Sequence, residues 1–209
     1  MVESKRKRGQ KGELKLSPRE KIVKHLIENK NPQSIMTLSG ATVLDYKNTY
    51  NIIEDFQPTI IHKEKIGNTS LIRLNLIPNP EIYSVENKRT KQFLDKNKEI
   101  KLISEDIKSI NYPFFISLIF GSIVKKTNTS KSDIDICIIS DNKEKTSELI
   151  SKLRLLPLKL EIHNFSVKEF ESMLKTKERN IAHEIIKENI ILYGIENYYN
   201  LISKWTKNE

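Results

Sequence analysis

The sequence predicts an α/β (α+β) protein of two domains, and three observations carry that prediction. A charged, helix-patterned first third ends in two short alternating stretches about Gly67-Asn68. A stiff Pro78-Asn79-Pro80 break follows. Beyond it lie two apolar runs, Phe114 to Ile119 and Ser132 to Ile139, with Gly121-Ser122 after the first and Asp133-Ile134-Asp135 opening the second. Apolar runs bounded by turn residues read as buried strands, and 209 residues can hold one large domain or two small ones, each with a core. The expected divisions are a basic arm at 1–14, a domain of helices and a hairpin at 15–77, a linker with connecting helices at 78–110, and a small mixed-sheet domain with C-terminal helices at 111–209.

The arm holds Lys5, Arg6, Lys7 and Arg8, with Lys11 and the glycines Gly9 and Gly12, and is too polar to fold by itself. Such a run suits a phosphate backbone; in a nucleated organism it would also read as an import signal. Ser17-Pro18-Arg19-Glu20 opens a helix with a capping box, and Ile22, Val23, Leu26 and Ile27 form its buried stripe up to Asn29–Pro32. Ser34 to Ser39 reads as a short second helix, Gly40 as the turn after it, and Asp45 as the cap of a third helix to about Phe56. Ile60 to Ile66 and Thr69 to Leu76 then read as a hairpin.

Past the Pro-Asn-Pro break, Glu81 to Ile110 is helical in pattern, with Phe93, Leu94, Leu102, Ile103, Ile107 and Ile110 available to pack. Lys143 to Leu155 reads as a helix, Leu158 to Phe165 as a third strand, and Ser166-Val167-Lys168-Glu169 as another capping box. Helices through Leu174, from about Arg179 to Leu192, and from Ile195 to Trp205 complete the expected fold.

Composition bounds the function. A formal charge of +9 favours polyanionic partners and steers anionic nucleotides. No apolar run approaches the roughly twenty residues that span a bilayer, and Met1 to Arg6 lacks the apolar core of a signal peptide. One cysteine excludes an intramolecular disulfide framework and fits a reducing cytoplasm. The expected location is cytoplasmic.

The chemistry is concentrated at Gly121 to Asp135. A glycine where the chain must turn lets the backbone approach a ligand, and the N–H groups beyond it suit an anion. The two-residue strand period sends Asp133 and Asp135 to one face and Ile134, Ile136 and Ile138 to the other. Two carboxylates beside a phosphate-holding turn are a ligand set for Mg²⁺.

At these residues the chain resembles the nucleotidyltransferase superfamily that includes polymerase beta and the minimal nucleotidyltransferases. Phe120-Gly121-Ser122 and Ser132-Asp133-Ile134-Asp135-Ile136 match its pattern. The resemblance implies that Gly121, Ser122 and Ser132 hold the phosphates of a nucleoside triphosphate, ATP being the first choice, and that Asp133 and Asp135 bind two Mg²⁺ ions. It also implies a third carboxylate on a later strand; Glu161 matches, where the family more often has aspartate, and His163 shares its face. The implied reaction transfers a nucleoside monophosphate to an acceptor hydroxyl. A protein hydroxyl, such as one on a partner toxin, stands first as acceptor, ahead of RNA ends or a small molecule.

Residues 15 to 77 in turn resemble winged helix-turn-helix domains that bind duplex DNA. That resemblance implies base and phosphate contacts from Tyr46, Lys47, Asn48 and Asn51 on the third helix, and from Lys63, Lys65 and Arg73 on the hairpin. Some winged helices serve as dimerisation modules instead, and a homodimer is the corresponding expectation. Fusions of these two modules are similar to uncharacterised prokaryotic, particularly archaeal, proteins. The competing reading is a DNA-binding transcriptional regulator whose transferase core is inactive or senses nucleotide.

Overall fold

A computed structural model describes residues 15–129 and 132–206; the basic arm, with Lys5, Arg6, Lys7 and Arg8, lies outside the described residues. The chain begins with α1 (Pro18–Glu28), where Ser17 Oγ accepts from the Glu20 N–H and Glu20 Oε2 accepts from the Ser17 N–H, a closed capping box. A two-residue strand β1 (Gln33–Ser34), α2 (Ile35–Thr42) and α3 (Tyr46–Phe56) follow. The hairpin β2 (Ile61–Ile66) and β3 (Thr69–Leu74) pairs Ile66 with Thr69 around Gly67-Asn68 and takes β1 on its other side, in the order β1-β3-β2.

The turn between α2 and α3 differs from expectation. Gly40 lies inside α2, and the left-handed residue that ends the helix is Val43 at φ 54°. The Val43 N–H and the Leu44 N–H reach back to the carbonyls of Gly40 and Ser39, so closure of the helix end, and not glycine's freedom, makes this turn.

The stretch 78–110, expected as linker and connecting helices, forms two packed helices, α4 (Pro80–Lys96) and α5 (Lys98–Ser109). Pro78-Asn79-Pro80 is the start of α4: Asn79 Oδ1 accepts from the Glu81 N–H at 2.8 Å and Pro80 occupies the first helical turn, where its missing N–H costs nothing. Leu102 points out to solvent rather than packing.

The second sheet contains β4 (Ile116–Phe120), β5 (Ile134–Ile139), β6 (Leu160–Phe165) and β7 (Asn189–Tyr193), in the order β6-β5-β4-β7. Among the described residues of this sheet only the β5-β6 pair is parallel. Between them run α6 (Ser122–Lys125), α7 (Lys143–Leu153), α8 (Val167–Lys175) and α9 (Ile181–Lys187), and α10 (Ile195–Thr206) closes the chain. Alternation along the strands feeds two cores. Ile119, Ile136, Ile138, Ile190 and Leu192 pack with Ile103 and Ile107 of α5 and Leu149 and Leu153 of α7. Leu118, Cys137, Ile139 and Ile191 face Phe170, Ile185, Tyr198 and Ile202 of the C-terminal helices.

Residues 189–193, expected as the end of a helix, are the edge strand β7. A short apolar run is ambiguous between helix and strand by periodicity, and here Ile190, Ile191 and Leu192 serve opposite faces in turn, which only a strand allows. Asn189 marks the change of direction: its Nδ2 donates to the Ile185 carbonyl and to Tyr198 Oη. Among the described residues no helix is long and apolar enough to cross a membrane.

The two halves share one apolar cluster, in which Leu26 and Phe56 join Ile82, Phe170 and Tyr199. A buried polar seam runs beside it. Arg89 of α4 pairs with Glu86 one turn away, reaches Glu28 of α1 at 3.4 Å, and donates to the Asn189 carbonyl at 3.2 Å. Tyr199 Oη donates to the other Glu86 oxygen at 2.7 Å. Replacing Glu86 by Ala leaves the Arg89 guanidinium buried against one distant carboxylate, and the expected cost is about 3–5 kcal/mol. Urea unfolding should show that loss in a single transition, since the same residues hold both halves; two separated transitions would mean that the halves are independent.

Candidate active site

β4 ends at Phe120 and the chain turns at Gly121, with φ 74° and ψ −150°, into the single turn of α6. A side chain at Gly121 is excluded twice, by that backbone conformation and by Asp135, whose Oδ2 lies 1.9 Å from where a Cβ would stand. The Asp135 carboxylate therefore sits directly over the turn, where the Ser122 N–H favours its charged form. Glycine here admits a carboxylate as well as a bend.

The sheet register explains the rest of the site. Asp135 pairs across the antiparallel ladder with Phe120 and across the parallel one with Glu161, while His163 stands beside Cys137 on the same face. Ligand atoms of Asp135, Glu161 and His163 all lie within 4.8 Å of one another. His163 Nε2 is 3.3 Å from Glu161 Oε1, and its ring tilts against Phe120 at 5.5 Å between centroids. Burial, and then the Glu161 charge, push the Asp135 carboxyl above the usual carboxylate range; His163 and the Ser122 N–H pull the other way, and Asp133 adds to the rise. Nearby carboxylates that resist ionisation are relieved by a cation between them.

Asp133 precedes β5 and is exposed, outside this three-residue group. Ser132 is engaged in the loop before it, its Oγ accepting from the Thr129 N–H at 2.9 Å. Ser122 is half-exposed beside the turn. Lys125, a basic residue close to the Gly-Ser turn, is held by Glu184 at 3.3 Å, and Lys126 ends α6 in a left-handed conformation. His163 was legible as a residue of the Glu161 face but not as a member of the cluster. The signal was the parallel register, which no local pattern in the chain reveals.

The donor set fits a divalent cation. Two carboxylates are oxygen ligands that Mg²⁺ accepts, and the adjacent imidazole is a ligand that Mn²⁺ tolerates better than Mg²⁺. Asp135 and Glu161 would hold the ion together, with His163 as the third ligand.

On α3, Tyr46, Lys47 and Asn51 are exposed and Asn48 is half-buried. Lys65 and Arg73 are exposed on the hairpin, but Lys63 is committed: it pairs with Glu54 and lies 5.1 Å above the Tyr50 ring. Sequence alone placed Lys63 among the phosphate contacts; its charge is instead neutralised within the fold.

A family model described as polymerase beta, nucleotidyltransferase, matches residues 88–198, just over half of the chain. The match begins within α4 and ends in the first turn of α10, so it takes in Gly121, Ser122, Asp133, Asp135, Glu161 and His163. No curated protein and no solved structure matches the chain.

Two outcomes follow from the geometry. His163→Ala should weaken Mn²⁺ binding by about tenfold or more while changing Mg²⁺ binding less, because imidazole is the softer ligand; titration calorimetry with each ion measures this, and equal losses would remove His163 from the ligand set. Gly121→Ala should destabilise by about 1–3 kcal/mol from backbone conformation alone, plus the displacement of Asp135. The loss should be smaller in an Asp135→Ala background, and a double-mutant cycle in urea would detect that coupling.

Proposed function

The chain belongs to the polymerase beta nucleotidyltransferase family, and from that premise we propose that it transfers a nucleoside monophosphate from a nucleoside triphosphate, ATP first, to an acceptor hydroxyl. The observation that carries the reading is the Asp135 carboxylate seated over Gly121 with Glu161 and His163 around it. In the reaction the acceptor oxygen forms a bond to the α-phosphorus, the α–β bridging bond breaks, and pyrophosphate leaves. The hydroxyl proton passes to water at the open mouth of the site, where the Glu161 side chain is 56% exposed.

The residues divide the work. Ser122 and the backbone after Gly121 position the phosphates. Asp135, Glu161 and His163 orient the reacting groups at one end of the sheet, and Asp133, at the entrance, supplies a further carboxylate next to the triphosphate. Bound Mg²⁺ or Mn²⁺ would polarise the α-phosphate and lower the pKa of the acceptor hydroxyl, and the first-choice stoichiometry is two ions, with Asp133 and phosphate oxygens completing the second site.

The N-terminal helices with their β1-β3-β2 sheet have the element order of a winged helix, which supports a duplex DNA-binding role. Lys47, Lys65 and Arg73 would contact phosphates, and Asn51 is the exposed amide placed for base readout. The basic arm would add charge. Lys63 is left out of this set because Glu54 holds it.

Asp135→Asn should reduce metal-dependent release of pyrophosphate from ATP, assayed with cell extract as acceptor source, by more than about a hundredfold. The same variant should melt at a higher temperature without metal at neutral pH. Asp135 has a raised folded pKa, so the folded state binds more protons than the unfolded chain above the ordinary aspartate range. The stability it contributes when protonated is lost as pH rises through the raised value, and Asn removes that loss. Added Mn²⁺ should stabilise the wild type and not the variant; equal stabilisation would sink the metal assignment.

The DNA reading has its own test. Lys47→Glu with Lys65→Glu should weaken duplex binding for all sequences and lower the salt slope by about one per lysine, whereas Asn51→Ala should cost about 1–3 kcal/mol of sequence discrimination. Gel shifts with the full chain at several salt concentrations measure both. Absence of duplex binding by the wild type at low salt would make the N-terminal unit a protein-contact module.

A further inference from the structure

The C-terminal helices enclose a pocket that the transferase chemistry does not use. It has a volume of about 830 Å³ and lies between the ends of α8 and α10, the start of α9 and the loop 176–180. Its floor is apolar: Leu174 and Leu201 are buried there, and the half-buried Trp205 stands beside His183, with ring centroids 6.1 Å apart and planes inclined at 48°. A recess of this size with an apolar floor and a few polar groups is the ordinary form of a small-molecule site. Neither Gly121 and Ser122 nor Asp135, Glu161 and His163 line it, so it is distinct from the phosphate turn and from the carboxylate cluster.

The rim of the pocket is cationic. Lys175, Lys177, Arg179 and Lys204 stand around it against one carboxylate, Glu171, which Lys204 already holds at 3.2 Å. Lys175 and Lys177 are exposed and make no ion pair among the described residues. Arg179 pairs through Nε and Nη2 with Glu184, which is not part of the lining, and its Nη1 makes no hydrogen bond among the described residues. The loop that carries Lys177 and Arg179 is held in place. Asn180 Nδ2 donates to the Met173 carbonyl at 2.7 Å, Asn180 Oδ1 accepts from the Ala182 N–H at 3.0 Å, and Thr176 Oγ1 donates to the Ser172 carbonyl at 3.1 Å. A rim fixed in advance costs a ligand little ordering.

We propose that this pocket binds a small aromatic anion, a ring body bearing one carboxylate, sulfonate or phosphate group, as a ligand separate from the nucleoside triphosphate. The ring would lie against Trp205 and His183 over Leu174 and Leu201, and the anionic group would pair at the rim with Lys175, Lys177 and the Nη1 end of Arg179. A neutral ring would leave the like charges of the rim uncompensated, and an inorganic anion would leave the apolar floor in water. Only a molecule with both parts answers both. An alkyl anion would fill the volume but forgo the contacts that two tilted aromatic side chains offer a ring. The inference goes beyond the transferase reading and does not rest on it.

Trp205 is the single tryptophan of the chain, so energy transfer from it reports on this pocket. The full chain is titrated with anilinonaphthalene sulfonate and, separately, with phenylnaphthylamine, the same ring body without the anionic group. The sulfonate should saturate a single site and bind at least about tenfold more tightly than the neutral amine. Lys175→Glu with Lys177→Glu, both exposed, should bring the two probes to within about twofold of each other, because the rim then no longer favours an anion. Naphthoate should displace the sulfonate better than decanoate does, since only the former offers a ring. Equal affinity of the wild type for the two probes would overturn the proposal, as would unchanged sulfonate binding by the lysine variant or equal displacement by decanoate. Displacement of the probe by Mn–ATP would also overturn it, by making the pocket part of the nucleotide site.

Discussion

The arrangement of this chain depends on the Arg89 guanidinium. It is buried between segments far apart in sequence: Glu86 on its own helix, Glu28 at the end of α1, and the carbonyl of Asn189 where β7 begins. A guanidinium presents five donors in a rigid plane, so its partners must come to it in fixed directions. Tyr199 then holds Glu86 from the far side. The burial of such a pair contributes little net stability by itself, but misplacement of any one partner strands a charge in the core. The N-terminal unit, α4 and the edge strand are thereby held in one relative position, and apolar burial of Leu26, Ile82 and Phe56 supplies the bulk of the attraction.

From that fixed edge the site follows by register. β7 sets β4, β4 sets β5, and β5 in parallel sets β6, so that Asn189, Phe120, Asp135 and Glu161 fall in one row. Gly121 is the local condition for this row, because any side chain there would occupy the position of the Asp135 carboxylate. A strand slipped by one residue would turn Asp135 into the core and Ile136 into the site.

Much of this was legible in the sequence because the signals are local. The two capping boxes at Ser17 and Ser166, the Asp45 cap, the two-residue Gly67-Asn68 turn and the alternation around Ile134 to Ile139 are each decided within a few residues. What was not legible depends on distant partners. Asn189 to Tyr193 becomes a strand only because β4 offers an edge; α4 and α5 look like a connection until they meet β7; and Lys63 looks free until α3 brings Glu54 beside it. The site divides in the same way. Gly121, Ser122, Asp133 and Asp135 are announced by their spacing, but the inclusion of His163 in the carboxylate cluster, with Asp133 standing outside it, is a product of the parallel pairing of β5 with β6.

The seam that holds the two halves together also carries an electrostatic cost beside it, on Lys30, which donates to the Lys187 carbonyl at 3.1 Å. Lys30 is held down to about 8, by burial first and then by Arg89, while Glu86, Glu188 and Glu28 pull it back upward. The unfolded chain binds that proton more readily between the lowered value and the ordinary lysine value, so stability is lost as pH falls from about 10.5 toward 8. Near neutral pH Lys30 is charged, and its charge is a standing cost to the fold.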